Sequence, residues 1–405
     1  MRAAPVCFSI ALGLGACFSP QLGGLAAPFA CADGACPDGF RCAQQLCIAE
    51  SAPDPPILIG TTTIDVALPR AVRGAQQFAV FWQQNVEAGT LQESLHLTQL
   101  GAAGAADQSL TAVTGSAFFD ALYDASASLY VFAVATNGED APALRVSTLA
   151  ADGTGQRQIF ALTEQSSPIG FSAPSLAIVP GGDQVTLAYT FSSPPRVDKD
   201  NVSCTRIDVG TMAADPSCTP TVAQTMGEYA VDVAVAETPG VTTLFWRSGD
   251  LVRITQRMND MPVATRTIVD VAAVGHVATI ASTLALTEEH LDNGALTWNV
   301  AVRKGSSSLN VPVSSFAEPD ITSDGKRLIL CVQRDDGEIE VRLRSLDDLA
   351  EIGTPMLVPR LSRAAIAGCR IAAAQDSTEI AVAWKELIPP SAARIYAATM
   401  TLPAP

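Results

Sequence analysis

Val80-Phe81-Trp82 ends a run of alternating residues, and the same apolar-x-aromatic ending returns at Leu187-Ala188-Tyr189, Leu244-Phe245-Trp246 and Val382-Ala383-Trp384. Weaker versions fall between them at Val131-Phe132-Ala133, Leu284-Ala285-Leu286 and Leu330-Cys331-Val332. Each sits in a short stretch of period-two alternation bounded by Gly, Pro, Asn or Asp, the pattern of half-buried strands. The last positions of the seven endings are 82, 133, 189, 246, 286, 332 and 384. Their spacing is about 50 residues, against roughly 40–50 for one four-stranded blade of a radial repeat. Seven such units fit 57–405, which predicts an all-β chain folded as a seven-bladed β-propeller. The alternative is tandem β-sandwiches, which call for proline-rich linkers about every 100 residues. Between Gly60 and Leu387 the loop "SSPPRVDKDN" has that composition, but its flanks continue one unit.

The sixth unit contains "EPDITSDGKRLIL", residues 318–330. It resembles the P-D-x-S-P-D-G-K-x-L repeat of TolB-like β-propellers. Pro319, Asp320, Asp324, Gly325, Lys326 and Leu328 match, while Thr322 stands in place of Ser and Ser323 in place of Pro. Asp-Gly supplies the φ > 0 residue of a tight turn between an innermost strand and the next. The resemblance implies a fold and not an activity. A ring must also be closed, and Ile57 to Thr63 is placed to add a strand to the last blade.

Towards the N-terminus, one basic residue (Arg2) precedes the apolar run Val6 to Leu14 and the small residues Gly15 and Ala16. That is the order of a signal peptide. The run breaks at Cys17-Phe18-Ser19-Pro20, short of the roughly 20 apolar residues that span a bilayer. Leu14-Gly15-Ala16-Cys17 resembles the lipobox of bacterial lipoproteins. The resemblance implies that 1–16 is removed and that Cys17 carries a diacylglycerol; Phe18, rather than Asp, implies transfer to the outer membrane under enteric-type sorting. The alternative is an ordinary secretory signal cut near Ala26-Ala27. Nothing later approaches a membrane span, so the expected membrane contact is the lipid anchor alone.

Ten cysteines are present. Cys7 leaves with the signal, Cys17 is the lipidation site, and eight remain. Cys31, Cys36, Cys42 and Cys47 crowd into 17–47, a segment too short to bury a core without covalent help. Two disulfides and a small knob follow. Of the three connectivities the interleaved one, 31 with 42 and 36 with 47, is preferred. Zinc would want C-x2-C pairs, which the spacing does not supply. The knob resembles small Cys-Gly-Cys-Pro modules behind some lipoprotein signals. "IAESAPDPP", 48–56, reads as a stiff linker, and 57–405 is the propeller. Cys204 and Cys218 flank a hairpin with its tip at 211, and are expected to bond; Cys331 and Cys369 are expected to staple units six and seven.

The formal charge is −16, and losing Arg2 leaves 24 basic against 41 acidic residues, −17. This disfavours nucleic acid and anionic lipid as partners. His96 in "ESLHLTQL" reads as a solvated strand residue, His276 opens an inner-strand run, and His290 sits before the turn signal Asp292-Asn293-Gly294. Glu288, Glu289, His290 and Asp292 are ligand types that suit a divalent ion, yet a plain hairpin explains them. "DKDNVS", 198–203, lacks the Gly and closing acid of a calcium loop and reads as an exposed loop tip. Ser323-x-x-Lys326 satisfies S-x-x-K only formally, since that chemistry needs a helix. No catalytic residue, metal site or cofactor is assigned. The expected role is a non-enzymatic binding or scaffold module on the cell envelope that meets a protein or glycan partner. The alternative is an envelope enzyme acting on glycans or peptides at the propeller mouth; Asp, Glu, Arg and Tyr converging in the funnel would favour it, and a lining of Thr, Ala and Val would oppose it.

Overall fold

The computed structural model describes residues 54–404 except 64–65, 86–91, 102–103, 115, 138–142, 164–170, 172, 193–198, 216–221, 224–229, 249–250, 259–260, 263–265, 270–271, 293–294, 314–317, 335–336, 363 and 376; before these it describes 29–30, 36, 38–43 and 46–49. The contacts divide the chain into two units, Met1–Asp54 and Pro55–Pro405.

In the first unit, strand Leu46–Ala49 lies between Phe29–Ala30 and Phe40–Ala43. Gly39 takes φ 83° in the turn before Phe40, a conformation open to glycine at little cost. Cys36 and Cys47 are joined by a disulfide with Cα atoms 5.6 Å apart. Cys47 is buried and stands opposite Cys42 in the ladder. Cys17 and Cys31 lie outside the described residues, as does the side chain of Cys42.

Among the described residues the second unit consists of seven antiparallel sheets, six of them with neighbouring strands in chain order. Blade 1 is Arg70–Arg73, Phe78–Asn85, Gln92–Gly101 and Gly104–Thr114; blade 2 is Ser116–Asp124, Leu129–Asn137, Ala143–Ala150 and Arg157–Thr163. Blade 3 is Ser175–Ile178, Gln184–Ser192, Lys199–Asp208 and, both on the edge of that third strand, Ala214–Asp215 and Val222–Ala223; blade 4 is Ala230–Thr238, Val241–Ser248, Leu251–Met258 and, both on the edge of that third strand, Met261–Pro262 and Arg266–Val269. Blade 5 is Ala272–Ile280, Thr283–Asp292, Ala295–Lys304 and Ser307–Val313, and blade 6 is Asp320–Ser323, Arg327–Gln333, Ile339–Ser345 and Met356–Leu357. Blade 7 is Ile366–Ala373, Glu379–Ile388 and Ala392–Thr401, and its outermost strand is Ile57–Thr63 from the start of the unit. The innermost strands neighbour one another around a full circle, blade 7 meeting blade 1. The chain is therefore a seven-bladed β-propeller closed by strand addition, with Ile57 opposite Ala397 and Thr63 opposite Ala392.

Period-two alternation translates directly into the ring. Successive side chains of a strand point to opposite faces, and each face of a blade abuts a neighbouring blade. Phe78 and Val80 pack with Ala372, Ala381 and Ala383 of blade 7, whereas Ala79 and Phe81 pack with Phe119, Tyr130 and Phe132 of blade 2. An apolar cluster of this kind fills each of the seven seams. All seven apolar-x-aromatic endings fall on the second strand of a blade, and Trp82, Tyr189, Trp246 and Trp384 are buried against the preceding blade. In blade 2 the series is out of phase by one residue. Ala133 faces blade 3, and the aromatic that faces blade 1 is Phe132.

The Asp324-Gly325 turn has Gly325 at φ 86°. Asp324 Oδ1 accepts the N–H groups of Lys326 and Arg327, and its Oδ2 accepts the Arg327 guanidinium, which also donates to Pro403 O. Burial alone would raise this carboxyl; the donors and the Arg327 charge outweigh it and hold the pKa below the ordinary value.

One loop reading changes, and two hairpins fall where the sequence puts them. In "DKDNVS" the residues after Asp198, which lies outside the described residues, are not a loop tip, because Lys199–Asp208 is the third strand of blade 3, with Val202 and Ser203 buried. His290 lies within strand Thr283–Asp292, and pairing runs on to Asp292 opposite Ala295. The hairpin of blade 3 turns between Ile207 and its partner Ala214. Cys204 is buried and disulfide-bonded, while Cys218 lies outside the described residues.

Candidate functional site

One position on each innermost strand is fixed by register. It is the residue opposite the one just before Trp82 or its equivalent, which in the out-of-phase blade 2 is Val134: Arg70 opposite Phe81, Asp120 opposite Ala133, Ser175 opposite Ala188, Ala234 opposite Phe245, Ala278 opposite Ala285, Asp320 opposite Cys331 and Arg370 opposite Ala383. Read round the ring from blade 6, this tier is Asp, Arg, Arg, Asp, Ser, Ala, Ala. Four adjacent blades carry charge and three carry small residues.

The polar members stitch strands together. Asp120 Oδ2 accepts Leu176 N–H (2.8 Å) of blade 3, Ser175 Oγ accepts Val235 N–H (3.1 Å) of blade 4, and Asp320 Oδ2 accepts Ile371 N–H (2.9 Å) of blade 7. The other oxygens of Asp120 and Asp320 take the N–H groups of Ala121 and Ile321. Arg70 spans the two acids, with Nε 3.0 Å from Asp120 and Nη1 3.7 Å from Asp320, two blades away. Burial lowers the Arg70 pKa, but the two carboxylates more than offset it and the net shift is upward. Beside them Arg370 pairs with Glu318 (2.5 Å) and donates to Cys369 O and Pro319 O. Asp120, Asp320, Arg70 and Arg370, with Glu318, gather on one side of this tier, and Ser175, Ala234 and Ala278 occupy the other.

The sequence reading missed Asp120. Asp120 and Asp124 in "DALYD" repeat Asp320 and Asp324 in "DITSD" at the same spacing, and the roles repeat as well. Asp124 Oδ1 accepts Ser126 N–H and Ala127 N–H, as Asp324 does for its own turn. The D-x3-D spacing was the available signal.

His96 is also corrected. It is buried, 8% exposed, because the closing strand covers the face that an isolated sheet would leave to water. Its ring stacks on its cross-strand partner Trp82 at 4.6 Å, and Trp82 lies on Gly60 of the closing strand, where a Cβ would come within 2.2 Å of the indole. His96 Nδ1 is 2.9 Å from Asp107 Oδ2, and Nε2 is 2.9 Å from Ser94 Oγ. The Trp82 indole donates to Thr98 Oγ1 (3.0 Å), and Thr98 donates to Asp107 Oδ1 (2.8 Å).

Cys331 and Cys369 form a disulfide, Cα atoms 6.3 Å apart, across blades 6 and 7. The side chain of His276 lies outside the described residues. His290 Nε2 is 3.5 Å from Glu288, whose carboxylate also takes the Arg303 guanidinium. Among the described residues no group of three His, Cys, Asp or Glu side chains is placed to hold a metal ion. Ser323 Oγ accepts Gly325 N–H inside the β-turn.

No family model matches the chain, and no curated protein matches it. Among solved structures, a prolyl endopeptidase is similar at 14% identity and TM-score 0.48, over 85% of this chain and 51% of that one. The WD40 domain of coronin from Toxoplasma gondii is similar at 13% identity and TM-score 0.48, over 87% and 90%. The β-propeller domain of the Trilobed protease from Pyrococcus furiosus is similar at 9% identity and TM-score 0.42, over 71% and 86%. The chain spans about half the length of the prolyl endopeptidase it matches.

Proposed function

We propose that this chain is a bacterial lipoprotein, lipidated at Cys17 and held on the outer membrane, whose propeller is a binding or scaffold module that does no chemistry at its axis. The partner is a protein or glycan met by loops on one face of the ring. One observation carries the reading of the axis: Asp120 and Asp320 spend both oxygens on backbone N–H groups of their own and neighbouring strands, and Arg70 is held between them. A carboxylate that laces two blades is not available as a general acid or base, because protonating or moving it strands a buried N–H at a cost of about 1–3 kcal/mol. The charged tier thus makes the disc rigid, as a surface presented to a partner requires.

The test is fractionation and capture. Wild-type protein should sediment with outer membranes, resist carbonate extraction and carry a partner through detergent solubilisation in fixed proportion. Cys17→Ser should be exported, folded and free of the membrane, since a lipid contributes about 0.8 kcal/mol per buried methylene. A Cys17→Ser protein that still pellets and resists carbonate would overturn the anchor. Hydrolysis of envelope glycan or peptide that disappears in Asp120→Asn with the fold retained would overturn the reading of the axis.

A further inference from the structure

Away from the axis, on the blade 1 face that meets the closing strand, a neutral imidazole gives the hydrogens of the Trp82–Thr98–Asp107–His96–Ser94 chain one direction. An indole N–H is a donor only, so Thr98 accepts from Trp82 and turns its own hydrogen to Asp107 Oδ1. An ionised carboxylate is an acceptor only, so the 2.9 Å contact at Oδ2 puts the imidazole hydrogen on Nδ1. Nε2 of the neutral ring is then bare, and the Ser94 hydroxyl donates to it. A serine on Nε2 and a carboxylate on Nδ1 is the arrangement that makes a hydroxyl nucleophilic.

Holding the indole does not require this much. In blade 4, Trp246 donates to Thr255 Oγ1 (3.3 Å), and Arg253 covers its ring at 5.6 Å. There the position of His96 is Arg253 and that of Ser94 is Leu251. In blade 7, Tyr396 stacks on Trp384 and the position of Ser94 is Arg394. Of these three tryptophan blades, blade 1 has the base, its acid and a hydroxyl. Ser94 and Asp107 stay partly open to solvent, with the Asp107 side chain 42% exposed, while His96 is shielded beneath the closing strand.

We propose that Ser94 is an acyl-accepting nucleophile, with His96 as its base and Asp107, Thr98 and Trp82 as positioning residues, and that the substrates are small activated esters reaching the flank of blade 1. Ser94 Oγ bonds to the carbonyl carbon, the carbonyl π pair moves to its oxygen, and the hydroxyl proton passes to His96 Nε2. Collapse breaks the bond to the leaving oxygen, which departs with that proton; water then repeats the exchange and frees the acid and Ser94. Gln84 stands directly opposite Ser94 in the ladder, with Cβ atoms roughly 4.5–5.5 Å apart at such pairs. Its carboxamide is a donor of the kind that steadies an oxyanion.

The test uses the mature full-length chain and an alkyl fluorophosphonate. Attack forms an Oγ–P bond, breaks P–F and releases fluoride while the proton goes to His96. One phosphonyl group is expected on the peptide containing Ser94, with none on Ser94→Ala. Asp107→Asn keeps an acceptor for Thr98 but favours the wrong imidazole tautomer, and should slow labelling by at least about 100-fold with an unchanged thermal transition. A folded wild-type protein that takes no adduct overturns the proposal and leaves the chain as a support for Trp82. So does an adduct that survives Ser94→Ala, or a folded Asp107→Asn labelled as fast as wild type.

Discussion

Blade 7 is held on its two sides by different means. Towards blade 6 the seam is covalent and bulky: Cys331–Cys369 crosses it, and Ile329, Val341, Leu343, Ile371, Val382 and Trp384 fill it. A buried ion pair, Arg360 with Glu386, supports it at 3.1 Å, with Ser362 on the second carboxylate oxygen. Gly368 lets the chain before blade 6 run close enough for Cys369 N–H to reach Glu318 O. Towards blade 1 the seam is thin: Ala71, Ala372, Ala374, Ala381, Ala383 and Ala397 pack with Phe78, Val80 and Leu100. There the work falls to backbone pairing of Ile57–Thr63, to Trp82 on Gly60, and to Lys385 Nζ donating to Val66 O. A ring is as strong as its weakest seam, and here the join made last along the chain has the smaller side chains. The covalent bond sits one seam away, between blades 6 and 7.

The largest expected effect follows from removing Ile57–Thr63. That exposes a whole edge of Ala392–Thr401 and uncovers Trp82, an aggregation-prone combination, so circular dichroism should show no cooperative transition. Next, Cys331→Ser with Cys369→Ser should cost about 4 kcal/mol on the loop-entropy model for a separation of 38 residues. Thermal unfolding with and without reductant reads it, and a reductant effect that persists in the double variant would assign the loss to another bond. Glu386→Ala strands the buried Arg360 and should cost about 3 kcal/mol. Glu351→Ala, facing Arg344 from a carboxylate that is 42% exposed, should cost under about 1 kcal/mol; equal losses would refute the contrast.

The smallest effect is a dependence on pH. Asp324 has its folded pKa below the ordinary carboxylate value, so its contribution is full above the unfolded pKa and is lost as pH falls through the folded one. Asp324→Asn should therefore narrow its stability deficit relative to wild type as the solution is acidified. A deficit that widens would reverse the assignment.

Much of this was legible in the sequence because a blade has both faces covered and repeats its covering. Trp82, Trp246 and Trp384 mark the same strand of their blades, and Asp324-Gly325 marks a turn that needs a positive φ. The same double cover misled the reading of His96, since polar residues on the second face of a strand suggest solvent until the neighbouring blade is placed. Asp120 escaped because the turn after Asp124 runs through Ala125, Ser126, Ala127 and Ser128 without Gly, and Ser128 takes φ 56° itself. Arg70, Asp120 and Asp320 are far apart in the chain; strand register and ring closure bring them together.

Closure is the central claim, and an engineered crosslink tests it most directly. Thr62 lies opposite Ala393, and antiparallel partners have Cα atoms roughly 4.5–5.5 Å apart, within disulfide range. In the Thr62→Cys, Ala393→Cys variant, mild oxidation should join the N-terminal and C-terminal strands in nearly every molecule. Peptide mapping would find 62 bonded to 393, and the thermal transition should rise. Residue 62 left as free thiol in the folded, oxidised protein, or bonded to any other cysteine, would contradict a ring closed by this strand.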